Sequence, residues 1–166
     1  MKTSELKPIK RHEGIVKFSR EHHFGLLLVW KIRQGIKNNI EPERIGKYVK
    51  FFFENDLQQH FKEEETSLFT KLKADDPMLG RTVQEHIEIY ALMNEINAGN
   101  NNYELLKKFG NTLEDHIRFE ERILFNYIQE QLSENELLQL SENHQERTGD
   151  TDDNWKDQFW VMKKPV

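Results

Sequence analysis

Two segments of this chain match each other: His60-Phe-Lys-Glu-Glu64-Glu65-Thr-Ser-Leu68-Phe69 and His116-Ile-Arg-Phe-Glu120-Glu121-Arg-Ile-Leu124-Phe125 share His, Glu, Glu, Leu and Phe at identical offsets. On an α-helix, residues four apart lie on one face, so each segment aims an imidazole and a carboxylate at the same point in space. Both pairs fall on the apolar seam of their stretch, whereas a solvated face would hold them at no cost. An unpartnered buried carboxylate is costly, and two of them among imidazoles would cancel much of the ~5–15 kcal/mol that stabilises a small domain. A bound cation removes that conflict, and it requires the helices carrying the segments to face a common core.

The rest of the chain supplies the helices for such a core. With only 4 Pro and 8 Gly in 166 residues, it consists of long stretches with apolar residues three and four apart, which predicts an all-α fold. The first helix is predicted from about Ile15 to Ile36, with Ile15, Phe18, His22, Gly25, Val29, Ile32 and Ile36 on one seam, ending near Asn38 and Asn39. Pro42 opens a second, to about Lys73, which Asp75, Asp76 and Pro77 stop. The third runs from about Met78 to Asn97, with Leu79, Val83, His86, Tyr90 and Met93 on its seam, and Gly99 breaks it. The fourth runs from about Tyr103 to Leu132, placing Phe109, Leu113, His116, Glu120, Ile123 and Tyr127 in strict four-three alternation. Short connections then predict an up-down-up-down four-helix bundle. Ser133 with Glu136 three residues on predicts a short C-terminal helix to about Arg147. The expected division is a bundle over residues 1–147 and a polar, aromatic tail over 148–166. Thr148 to Asn154 reads as linker, and Trp155, Phe159 and Trp160 are expected to pack on the bundle surface.

His22 and His86 give the first and third helices an inward imidazole each, so all four helices contribute. Four imidazoles and two shared carboxylates suffice for two metal ions with coordination positions left open for an exogenous ligand. The chain has no cysteine, so thiolate zinc sites, iron–sulfur clusters, disulfides and thiol catalysis are ruled out, and nitrogen and oxygen must hold any metal. None of the 7 histidines has a glutamate three residues before it, which disfavours the ferritin-like carboxylate bundles. No zinc-protease motif, phosphate-binding glycine loop or nucleophile elbow occurs. His12 and His144, at the ends of the helical region, are expected on the surface without a role.

A net charge of -5 with dispersed Lys and Arg predicts neither nucleic acid nor a membrane surface as partner. The polar Met1 to Arg11 stretch and the brevity of the apolar runs predict a cytoplasmic protein.

Over about Ile15 to Ile128 these residues resemble the hemerythrin and HHE cation-binding family, in the variant whose ligands read His, His-x-x-x-Glu, His, His-x-x-x-Glu. The resemblance implies two iron ions, with an oxo or hydroxo bridge, on His22, His60, Glu64, His86, His116 and Glu120. Zinc and manganese suit the same donors. Ser19-Arg-Glu-His-His23 is similar to the opening of many bacterial members; His22 lies on the seam and His23, one step off it, is the alternative. Glu121 competes with Glu120, because oxygen-carrying hemerythrins take an acidic ligand five residues after the corresponding histidine. Seam register and the repeat in the second helix favour Glu120. Respiratory members have a second histidine where this chain has Tyr90, so the expectation moves from reversible oxygen carriage toward bacterial regulators and iron–sulfur repair proteins of nitric oxide stress. The cysteine-containing N-terminal segment usual in those repair proteins is not in the sequence. Tyr90 is expected to face the site, either packing there or hydrogen-bonding to a metal-bound ligand. The implied function is binding of O2, NO or peroxide in sensing, storage or stress response. The alternatives are a di-iron enzyme or repair protein and a metal-free interaction module.

Overall fold

The computed structural model describes residues 10–144 and 151–161, and its regular elements are all helical. Helix α1 (Glu13–Lys37) starts where Nδ1 of His12 accepts a hydrogen bond from the Gly14 amide at 3.0 Å. Its end is marked by Asn39 in the left-handed region (φ 56°) and by the Ile40 amide bonding back to the Gly35 carbonyl at 2.9 Å. Pro42, which has no amide hydrogen to leave unpaired, opens α2 (Pro42–Phe52). The same rod continues through a π turn (Phe53–Leu57), α3 (Gln58–Glu63), a second π turn (Glu64–Leu68) and a 3-10 turn (Phe69–Lys71). Asp76 caps α4 (Pro77–Asn97) by accepting from the Met78 amide at 2.9 Å. Asn102 caps α5 (Tyr103–Phe119), which continues through a π turn (Glu120–Leu124) into α6 (Phe125–Gln131). The predicted Ser133–Glu136 capping box is present and starts α7 (Glu134–Asn143). The last residues predicted for this helix, to Arg147, lie outside the described residues.

Helix α1 packs on α2 and α5, and α4 packs on the same two, which closes the predicted up-down-up-down ring of four rods. Helix α7 lies along α1. The backbones approach so closely there that a Cβ on Gly14 would fall 2.1 Å from the Leu137 carbonyl oxygen, so only glycine fits. Among the described residues no helix is long and apolar enough to cross a membrane.

Two apolar clusters fill the bundle. One gathers Leu28, Val29, Ile32, Tyr48, Phe61, Ile89, Phe109 and Leu113; the other gathers Ile15, Phe18, Leu68, Phe69, Leu124, Phe125 and Ile128. Between them lies a polar layer of buried His and Glu residues.

The strict alternation expected along the fourth rod stops at Glu120. Ile123 is 43% exposed, whereas Leu124, Phe125 and Ile128 are buried. The cause is the π turn, whose extra residue rotates everything after Glu120 around the helix axis. The second rod is likewise not a continuous α-helix, and it ends at Lys71. On α4 the buried face is Thr82, His86, Ile89, Leu92, Met93 and Ile96; Leu79, Val83 and Tyr90 lie at its edge.

The tail folds back onto the bundle. Phe159 and Trp160 join the cluster around Tyr48, and Trp155 packs against Phe51 with ring centroids 4.7 Å apart, as expected. The linker expectation is corrected over the described part of Thr148 to Asn154: Thr151–Asn154 forms a 3-10 turn with Thr151 and Asp152 buried. The reason is a buried Lys31 on α1, which forms an ion pair with Asp152.

Candidate metal centre

His22 comes from the middle of α1, His60 from α3, His86 from α4 and His116 from the last turn of α5. Glu64 and Glu120 each open a π turn, whose final bond runs from the amide of Phe69 to the Glu64 carbonyl and from that of Phe125 to Glu120. The duplicated sequence therefore produces a duplicated backbone irregularity at its carboxylates, which is where π turns recur at functional sites.

All six side chains are buried, with Glu64 and Glu120 fully inaccessible. They form two overlapping groups, His22, His60, Glu64, Glu120 and Glu64, His86, His116, Glu120, whose donor atoms lie within 4.8 Å of one another. The Nε2 of His22 is 2.9 Å from Glu120 Oε1, and that of His60 is 3.4 Å from Glu64 Oε2. The Nε2 of His86 is 3.3 Å from Glu64 Oε1 and 3.1 Å from the Nε2 of His116. Thr82, fully buried, donates to Glu120 Oε2 at 3.1 Å. Both Glu64 oxygens and the His60 Nε2 have no hydrogen-bond partner despite complete burial. A protein interior rarely leaves such atoms unmade, and a cation among them would satisfy all three.

Three of the four outward nitrogens have hydrogen-bond partners of their own. His60 Nδ1 donates to Glu21 at 2.9 Å, His86 Nδ1 to Glu65 at 2.7 Å and His116 Nδ1 to Glu85 at 2.8 Å, while His22 Nδ1 lies 3.6 Å from Glu121. A carboxylate on Nδ1 fixes the tautomer and leaves the Nε2 lone pair facing inward, as metal-binding histidines require.

The electrostatics follow from this packing. Burial alone would lower the pKa of His60, but the charge of Glu64 and the hydrogen bond to Glu21 outweigh it and hold it up at about 9. His116 is held at about 10 in the same way, by Glu120 and Glu85 against burial. His22 is raised despite burial by Glu120, Glu121 and Glu64, and His86 by Glu64 and Glu65. Glu64 lies well below the usual carboxylate range because His60, His22 and His86 overcome its burial. Glu21 is drawn down to about 2 against its burial by His144 and His60.

Of the alternatives weighed from sequence, His23 is exposed, its ring contact being with Phe24. Glu121 is turned toward Ser19, Arg11 and the outer nitrogen of His22. Tyr90 packs edge-on against Phe53 and Phe61, at centroid distances of 5.6 and 5.9 Å. Burial, with the nearby charges of Glu65 and Glu64, pushes its phenol up to about 12.

Four supporting residues escaped the sequence reading: Glu21, Glu65, Glu85 and Thr82. A signal for the carboxylates was present. Glu65, like Glu121, is the second glutamate of the duplicated segment, and Glu21 and Glu85 immediately precede His22 and His86 as matching Glu-His dipeptides. His144 corrects a further expectation. It is buried, its ring stacked on Phe18 at 4.1 Å, because α7 folds back over α1. His12 acts as the N-cap of α1 and meets Glu134 at 2.9 Å.

Comparisons with curated proteins and with solved structures found no significant match. The model of the hemerythrin HHE cation-binding domain matches residues 14–128, a span that contains all six converging side chains and the four carboxylates behind them. With more than two thirds of the chain in that match, this protein belongs to the hemerythrin HHE cation-binding domain family.

Proposed function

We propose that this chain is a non-heme di-iron binding protein, with one ion on His22 and His60, the other on His86 and His116, and Glu64 and Glu120 shared between them. Support comes from the two overlapping donor groups, which have these carboxylates in common. Imidazole and carboxylate donors suit iron(II), and they also accept zinc and manganese. When bound, the iron pair would supply a place for O2, NO or peroxide to bind, in sensing, storage or stress response.

The chain's own residues hold that place ready. Glu21, Glu65 and Glu85 orient the rings of His60, His86 and His116 from outside, and Glu121 lies 3.6 Å from the outer nitrogen of His22. Thr82 fixes one oxygen of Glu120. Phe61 stacks on His86 at 4.0 Å and Phe125 on His22 at 5.2 Å, so apolar walls keep water from the flanks of the donors.

Elemental analysis of protein produced with iron, with optical spectra before and after exposure to air, tests the proposal. Two irons per chain and near-ultraviolet absorption of a diferric centre are expected. Less than one metal per chain after anaerobic reconstitution would overturn it.

A further inference from the structure

Helix α7 lies outside the segment that matches the family model, yet the residue that caps its C-terminus, His144, reaches the metal centre's surroundings. The Nε2 of His144 lies 3.2 Å from Glu21 Oε1, the same oxygen that accepts from His60 Nδ1. Its Nδ1 forms an ion pair with Glu63, whose side chain is 25% exposed at the rim. The ring is held from several directions. It stacks on Phe18 with an interplanar angle of 14°, and its own amide bonds to the Leu140 carbonyl at 3.0 Å. Lys17 on α1 donates to the Ser141 and His144 carbonyls at 2.7 and 3.3 Å, placing a cation at the negative end of α7. Leu137 and Leu140 anchor the rest of the helix in the core.

We propose that His144 is a positioning residue of the metal centre: by donating to Glu21 it fixes the carboxylate that orients His60, so that docking of α7 and metal binding at His60 are coupled. This rests on the di-metal reading above. A surface role for α7 does not require an imidazole facing a carboxylate already committed to a donor ring. The hydrogen bond from His60 and the imidazole edge of His144 3.2 Å away meet at one oxygen and restrict where it sits, and the oxygen defines the direction of His60 Nε2.

Cobalt(II) titration of the metal-free full-length chain, followed by visible absorption, tests the coupling alongside thermal unfolding. Wild type should take two cobalt ions per chain. His144→Phe keeps the stack on Phe18 and removes the donor; cobalt binding should weaken roughly tenfold with an altered visible band. His144→Gln, whose amide can still donate to Glu21, should retain most of the wild-type affinity. His144→Met fills the space without a donor and takes the place of the phenylalanine variant if that one does not fold. Leu140→Ala, which loosens α7 but keeps the imidazole, should lower the melting temperature and weaken cobalt binding by less than His144→Phe does. In a Glu21→Gln background, His144→Phe should add no further loss. Wild-type cobalt affinity in His144→Phe, or independent and additive losses in the double variant, would overturn the proposal. Failure of wild type itself to take up cobalt would instead bring down the di-metal reading, and this one with it.

Discussion

Glu65 accepts a hydrogen bond from His86 at 2.7 Å, and Glu85, the residue before His86, accepts one from His116 at 2.8 Å. The other half of the bundle repeats the placement with one longer contact: Glu121 faces His22 at 3.6 Å without a hydrogen bond, and Glu21, the residue before His22, accepts from His60 at 2.9 Å. Each Glu-His dipeptide supports the ring on the next rod in sequence, while the duplicated segment of the second rod supports the ring on the third and that of the fourth faces the ring on the first. The site is thus built from two copies of one arrangement, and the carboxylates behind the rings belong to it as much as the rings do.

Glu85→Gln tests that arrangement away from the centre. Its carboxylate helps hold His116 up at about 10, so the amide should lower the pKa of that ring and weaken its orientation. Metal affinity, read by competition with a chelator, should fall about 10–100-fold while the far-ultraviolet dichroism stays that of wild type. An unchanged affinity would mean that the Nδ1 partners are packing neighbours only.

Metal removal should leave a bundle whose stability depends on pH in a definite direction. The folded-state pKa values of His60 and His116, about 9 and about 10, lie above that of an unfolded histidine, about 6.5. A group raised on folding stabilises fully below its unfolded value and loses that contribution as pH rises through its folded value. The metal-free protein should therefore melt at a lower temperature at pH 10 than at pH 7, as thermal denaturation in the presence of a chelator would show. A flat or rising melting temperature over that range would contradict the charged state of these rings.

The four rods and the six inward donors were legible because both depend on periodicities that short-range sequence carries. Pro42, Asp76 with Pro77, Gly99 and Ser133 with Glu136 mark helix ends by local chemistry, and the structure uses each of them. What was not legible depended on register and on distant contacts. A π turn leaves no local signature, so the alternation puts Ile123 and Tyr127 on the seam that Leu124 and Phe125 occupy. His144 looked terminal, since nothing near it in sequence tells that α7 folds back over Phe18. Lys31 likewise reads as a surface lysine until Asp152, far along the chain, is seen beside it.

The return of α7 depends on Gly14, where any Cβ would meet the Leu137 carbonyl oxygen at 2.1 Å. Backbone cannot yield as a side-chain end can, so Gly14→Ala should force α7 outward and cost about 1–3 kcal/mol. Thermal denaturation would read the loss, and amide hydrogen exchange should show it concentrated in Glu134–Asn143. Wild-type protection there would mean that α1 shifts instead.

At the opposite end of the bundle, Lys31 is buried against Asp152, lies 3.1 Å from the Tyr48 hydroxyl and sits 4.3 Å from the centre of the Trp160 ring. Asp152→Ala removes the anion and leaves the buried ammonium beside the Tyr48 hydroxyl and the Trp160 ring. Breaking one partner of a buried pair costs about 3–5 kcal/mol, mostly because the surviving charge stays desolvated. Replacing both charges avoids that penalty, so Lys31→Met combined with Asp152→Ala should recover more than half of the loss. Urea unfolding followed by tryptophan fluorescence would measure both variants, with Trp155 and Trp160 reporting on the tail. If Asp152→Ala were nearly neutral, the Lys31–Asp152 pair would contribute nothing to the bundle's stability; if the double variant were no better than the single, the cost would come from lost packing around Tyr48 and not from the unpaired charge.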